Sequence, residues 1–222
     1  VQTEIVMETT ASAAVADSVE VGDEYSVAGE TVGTIQSLSV YPTGDADTRR
    51  LVVGLRLQTL QRNGDRYFGT QRVQIGTTIP FEGDGYTVSG TIVNQGSLSP
   101  PGESVTRTVT VKLANVPPEF ADGLTEDLVE RQRGTTTARV TDVRTEAAVI
   151  ALTSDDGDIF RREHPVNEDV YLTVEVTARE TASGLRFHGQ SLREGSTITL
   201  DFSTITAEGT VIDVETSNES SL

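Results

Sequence analysis

Two stretches far apart in the chain carry one pattern: FGTQRVQIGTTIPFEGDGYTVSGTIV at residues 68–93 and FHGQSLREGSTITLDFSTITAEGTVI at residues 187–212. Laid over each other at a spacing of 119 positions, residues 51–95 fall on 170–214 without a gap. Phe68 meets Phe187, Gly76 meets Gly195, Thr78 and Ile79 meet Thr197 and Ile198, and Gly90 and Thr91 meet Gly209 and Thr210. Upstream, Leu51, Val53, Leu55 and Leu57 alternate in phase with Val170, Leu172, Val174 and Val176. The same face of an extended strand is therefore apolar in both copies.

The opening segments repeat more loosely, at a spacing of 105, with Val15 on Phe120, Ile35 on Val140 and Leu38 on Val143. The second copy thus gains 14 residues between Val143 and Val170. This reading gives a first unit over 1–97, a Pro/Gly/Ser connector over 98–106, a second unit over 107–215 with an inserted hairpin or loop near 144–169, and a polar tail over 216–222. Each unit is expected to carry one short helix. In the second, Pro117 and Pro118 can start it, and Phe120, Leu124 and Leu128 share a helical face; ASAAVADSV is the counterpart in the first. Elsewhere Thr and Val supply 59 residues, whose branched side chains favour pleated sheet. Gly76 and Gly195 are expected at turns, and Gly90 and Gly209 at bulges or bends inside strands. The fold class that follows is mainly β with one short helix per repeat, in two tandem homologous units built as barrels or sandwiches, or as halves that complete one another's sheets.

Charge narrows the setting. Thirty-four acidic residues face 17 basic ones, of which Lys112 is the single lysine, for a net charge of -17. Acid spread along the whole length suits a chain that stays solvated in concentrated salt, where repulsion is screened within about 3 Å at about 1 M. A halophilic, archaeal source is the expectation. Nucleic-acid binding is not, since there is no basic stripe to meet phosphates. The absence of Cys excludes thiolate chemistry and disulfides. No run approaches the ~20 apolar residues of a membrane span. Asn218, in Asn218-Glu219-Ser220, is an N-glycosylation acceptor sequence.

Candidate chemistry is sparse. His164 and His188 fit no metal-ligand spacing, and His188 falls on Gly69, so both read as surface or loop histidines. GQSLR begins like a nucleophile elbow, but Arg193 stands where the closing glycine belongs. Asp155, Asp156 and Asp158 form the densest carboxylate group, with Asp45 and Asp47 as the related loop in the first copy. Oxygen-rich loops of this kind hold Ca²⁺, although an acidic hairpin tip looks the same. No catalytic residue and no other cofactor are expected.

VQIGTTIPFEGDGYTVSGTIV and LREGSTITLDFSTITAEGTVIDV, preceded by Glu20-Val21-Gly22-Asp23, resemble the signature of an uncharacterised family, a domain of unknown function in haloarchaeal and cyanobacterial proteins with one N-terminal transmembrane helix. The first copy follows the pattern closely. The second departs at Glu194 and has Ile205 where the pattern has tyrosine. The resemblance implies a membrane anchor missing before Val1, placement on the extracellular face of the cell envelope or secretion, and no catalytic residues. The expectation is a non-enzymatic cell-surface module acting through protein partners or self-association, as an anchored ectodomain or an envelope or filament subunit. The alternative is an extracellular ligand-binding module for a glycan, a small solute or a divalent cation.

Overall fold

The computed structural model describes residues 1–153 and 159–215. It separates into two compact units, Val1–Gly102 and Glu103–Leu222, both mainly β with nearly closed, barrel-like sheets.

In the first unit, β1 (Gln2–Ser12) leads into the helix α1 (Ala13–Ser18), followed by β2 (Glu24–Val27), β3 (Glu30–Pro42) and β4 (Thr48–Gln58). Three short strands, β5 (Leu60–Arg62), β6 (Asp65–Phe68) and β7 (Gln71–Arg72), form a small sheet of their own, and β8 (Thr78–Gly83) and β9 (Tyr86–Gln95) complete the main one. The main sheet runs β2-β3-β4-β1-β9-β8, with antiparallel neighbours throughout. Its ends, β2 and β8, come alongside each other, so the apolar face turns inward. Ile5, Met7, Ile35, Leu51, Val53, Leu55, Ile79, Phe81 and Ile92 fill that interior. Alternation makes them one face: β4 sends Leu51, Val53, Leu55 and Leu57 to it. Ser12 caps α1, its Oγ accepting the Val15 amide, and the buried Ala16 and Val19 seat this segment on the core.

The second unit repeats the order: β10 (Glu103–Val116), α2 (Pro118–Asp122), β11 (Val129–Gln132), β12 (Thr135–Thr153), β13 (Ile159–Thr181), β14 (Gly184–Phe187), β15 (Gln190–Ser191), β16 (Thr197–Asp201) and β17 (Thr206–Val214). Its sheet runs β11-β12-β13-β10-β17-β16, the same path. Strand β10 already starts at Glu103, so the connector is shorter than residues 98–106. Helix α2 also ends early, at Gly123, before Leu124 and Leu128 can join it. Leu124 is buried all the same, carried into the core by the following turn.

The correspondence extends to the irregularities. Each β-bulge places one extra residue in one strand, bending and twisting the ladder there. Val93 is extra where β9 meets β1, and Ile212, 119 positions on, where β17 meets β10. Gln36 is extra between β3 and β4, and Thr141 between β12 and β13. Val32 is extra between β2 and β3, and Thr137 between β11 and β12. One bulge of the opening strand belongs to the second unit alone. Leu113 faces Val170 but Val116 faces Glu168, with Asn115 in a left-handed conformation. That added residue shifts the spacing of the opening strands from 104, as in Met7 and Val111, to 105 at Ala16 and Ala121.

The 14-residue excess lengthens a hairpin already present. In the first unit, β3 and β4 are joined by a turn at 43–47; in the second, the β12–β13 ladder continues past Glu168 to pair Val149 with Glu163 and Thr153 with Ile159. Opposite Ala148 the chain bulges through residues 164–167, where His164 Nδ1 accepts the amides of Val166 and Asn167 at 3.2 and 2.7 Å.

The paired glycines act in two ways. Gly76 and Gly195 adopt φ of 88° and 78° in the turn that enters β8 or β16, a conformation that suits glycine. Gly90 and Gly209 instead permit close approach, and the bulge itself lies three residues later. A Cβ on Gly209 would lie 2.6 Å from Val111 Cγ1 and 2.8 Å from the Lys112 carbonyl oxygen. Gly209→Ala is therefore expected to destabilise the second unit by about 1–3 kcal/mol, the usual cost of overpacking, read as a lower denaturant midpoint. An unchanged midpoint would mean that β10 and β17 part freely.

Candidate functional site

The register identifies which residues occupy equivalent places in the two barrels. Tyr25 in β2 corresponds to Glu130 in β11, Phe68 to Phe187, and Gly69 to His188. At this place the two units differ in chemistry.

In the second unit it holds a buried polar group. Glu130 is 1% exposed. Its Oε2 accepts the Thr137 hydroxyl at 2.8 Å and lies 2.9 Å from His188 Nε2, while Oε1 accepts the Asp201 amide at 3.0 Å. The His188 ring stacks on Phe187, with centroids 3.6 Å apart and planes at 26°. His188 thus lies in the β14–β15 turn, as the loop reading expects, but is interior, which corrects the surface reading. Its left-handed backbone, φ 51°, turns the ring inward. A carboxylate beside an imidazole can serve acid–base chemistry, but here Nε2 faces Glu130, Thr137 is hydrogen-bonded to the same carboxylate, and the His188 side chain is only 6% exposed. The group ties β11, β12, β16 and the β14–β15 turn together.

In the first unit the same place is open. A cavity of about 550 Å³ is lined by Tyr25, Tyr67, Phe68, Gly69, Leu60 and Pro80 among others. Tyr25 meets Phe68 and Phe81 edge-on, at 5.7 and 5.9 Å between ring centroids. Val1, Val27 and Leu60, three of the most exposed apolar side chains, stand at the opening.

Two further polar ties hold the barrels. Tyr86 donates to Asp23 Oδ2, which also accepts the Glu20 amide. Burial, then the hydrogen bond to Asp23 and its charge, with a smaller push from Glu20, raise the Tyr86 phenol above its usual range. The second unit has Leu128 and Ile205 there, an apolar pair on its core. In its place, Asp169 bridges Lys112 Nζ at 2.7 Å and the Asn115 amide at 2.8 Å, satisfying the bulge of β10. Burial alone would raise the Asp169 carboxyl; Lys112 and the Asn115 amide outweigh it and leave it below its ordinary value. Lys112 is raised, first by the hydrogen bond to Asp169.

Asp155, Asp156 and Asp158 lie outside the described residues, and among those described no cluster of three or more His, Asp or Glu side chains could hold a metal. The related Asp45 is used locally, its carboxylate accepting the Asp47 amide. Ser191 sits in β15, a strand and not an elbow. Among the described residues no helix is long and apolar enough to cross a membrane.

Residues 94–215 match the family described as Domain of unknown function (DUF4330). The chain belongs to this family. The DUF4330 match covers the second unit. No curated protein and no solved structure matches the chain.

The sequence missed Glu130 as a site residue. Its signal was present: a carboxylate stands where the first copy has an inward Tyr25, paired with a histidine where the first copy has Gly69. Glu130→Ala is expected to cost about 1–3 kcal/mol for each buried donor left without a partner, because the Thr137 hydroxyl and the Asp201 amide lose their acceptor and His188 loses its neighbour. Chemical denaturation measures it, and a loss below 1 kcal/mol would mean that water reaches the group.

The shifted groups also set a pH window. The stabilisation from Asp169 is present above about pH 4, the unfolded value, and is lost as pH falls through its lower folded value. Those from Tyr86 and Lys112 are complete below about pH 10 and are lost as pH rises through their raised folded values. Asp169→Asn should flatten the acid limb and Tyr86→Phe the alkaline limb of a stability profile; limbs unchanged in both variants would refute the assignment.

Proposed function

We propose that this protein is a non-enzymatic, surface-exposed β module that works through contact with other proteins, as an anchored ectodomain or a subunit of an envelope assembly in a halophilic archaeon. On this reading the first unit is a diverged second copy of the DUF4330 fold, and the pair stands on the outer face of the cell envelope, held by a membrane anchor or secreted. The shared strand order and three shared bulges support the duplication. The net charge of -17 suits concentrated salt.

The observation that carries the contact role is the extended β12–β13 ribbon. Beyond Glu168 its two strands pair with each other, and among the described residues neither has a second ladder partner. Val149 and Val166 are 57% and 60% exposed on it. Open strand edges beside apolar side chains are the features that recruit another chain by strand addition or side-chain burial. Pro165 and the bulge at 164–167 interrupt one edge, which limits indiscriminate pairing.

The first unit supplies the variant that tests this. Replacing residues 148–166 by Thr-Gly-Asp-Ala-Asp, the turn at 43–47, restores the short hairpin and should leave the barrel folded. Sedimentation in molar salt is expected to show concentration-dependent association, or retention of a surface protein in a pull-down, for the full chain and neither for the shortened one. A full chain that stays monomeric and retains nothing would end the proposal.

A further inference from the structure

We infer that the first unit binds a small planar aromatic molecule, neutral or cationic, in the cavity between Tyr25, Tyr67 and Phe68, and that His188 is the built-in counterpart of that ligand in the second unit.

The second barrel shows what fits the place. A flat ring, the His188 imidazole, lies 3.6 Å from the Phe187 ring, nearly parallel to it and largely shielded from solvent. In the first barrel the matching aromatic is kept as Phe68, but the residue that delivers the ring is Gly69. The backbone is the same, φ 59° against 51°, and a Cβ on Gly69 would meet nothing within 4 Å. The platform has been retained and its occupant removed. The cavity of about 550 Å³ is within the usual range for small-molecule sites.

The lining selects the ligand's chemistry. Tyr25, Tyr67 and Phe68 offer aromatic surfaces suited to stacking and to cations. Gln58, Thr59 and Gln71 supply neutral hydrogen-bonding groups. Among the described residues Glu30 is the one charged side chain of the lining; the Val1 amino group also lines it and donates to the Thr59 carbonyl oxygen at 2.8 Å. With that amino group engaged by Thr59, a carboxylate on the ligand would meet the like charge of Glu30, whereas an ammonium would meet Glu30 and the aromatic faces.

Three probes share one ring and differ in charge: indole, tryptamine and indole-3-acetate. Titrated into the full chain and followed by amide NMR shifts, indole and tryptamine should move signals of residues 67–71 and of Tyr25, with tryptamine about fivefold tighter than indole-3-acetate. Gly69→His, which places the second unit's ring in the first, should weaken binding by about tenfold or more. Tyr67→Ala, at a half-buried position, should weaken it with the remaining spectrum unchanged, which guards against a folding defect in the histidine variant. Shifts absent from this region with all three probes, or Gly69→His binding as the wild type does, would overturn the site. Indole-3-acetate binding as tightly as tryptamine would overturn the assigned charge preference.

Discussion

A six-stranded sheet with only one short helix on it buries most of one face by curling until its ends approach. Flat antiparallel strands do not do this; an extra residue on one strand does, because it bends that strand and increases its twist. Both barrels carry the extra residue at the same three junctions, at Val32, Gln36 and Val93 in the first and at Thr137, Thr141 and Ile212 in the second. The core, the helix seats and the cavity follow from that curvature. So do Gly90 and Gly209, which allow the first strand of each unit to lie against the strand before the bulge without a side chain between them.

Within this shared frame the units differ in how they use polar groups. The first ties its barrel with Asp23 and Tyr86; the second has Leu128 and Ile205 there and places its buried polar group elsewhere, at Glu130 and His188. Lys112 and Asp169 close the bulge from which the long hairpin departs. A buried carboxylate is tolerated only where every oxygen has a partner, and Glu130 meets that condition through three different strands or turns. Where the first barrel has an aromatic cavity beside Tyr25, the second has the buried side chains of Glu130 and His188. The surface proposal and the ligand proposal thus rest on different units, the ribbon of the second and the cavity of the first.

Much of the fold was legible because it depends on period and spacing. Leu51 to Leu57 and Val170 to Val176 announce their buried faces by alternation, and Gly76 and Gly195 announce their turns. Errors arose where a local pattern met a tertiary decision. Phe120, Leu124 and Leu128 have helical spacing, yet the helix ends at Gly123 and Leu124 reaches the core from a turn. His188 has the sequence surroundings of a loop residue, and only its left-handed backbone and the carboxylate of Glu130 draw it inside. The excess residues read as an inserted hairpin or loop, and the structure adds that they lengthen the ladder between β12 and β13.

By itself the sequence determined the repeated spacing, the β-rich class, the strand faces and the acidic composition, because each is carried by composition or by a pattern of residue types along the chain. Tertiary structure alone decided that Glu130 meets His188 across 58 positions, that Tyr25, Tyr67 and Phe68 surround a cavity, and that β12 and β13 pair beyond Glu168 as a two-stranded ribbon with no further ladder partner among the described residues. These outcomes depend on which strands the curled sheet brings together, and no local periodicity encodes that closure.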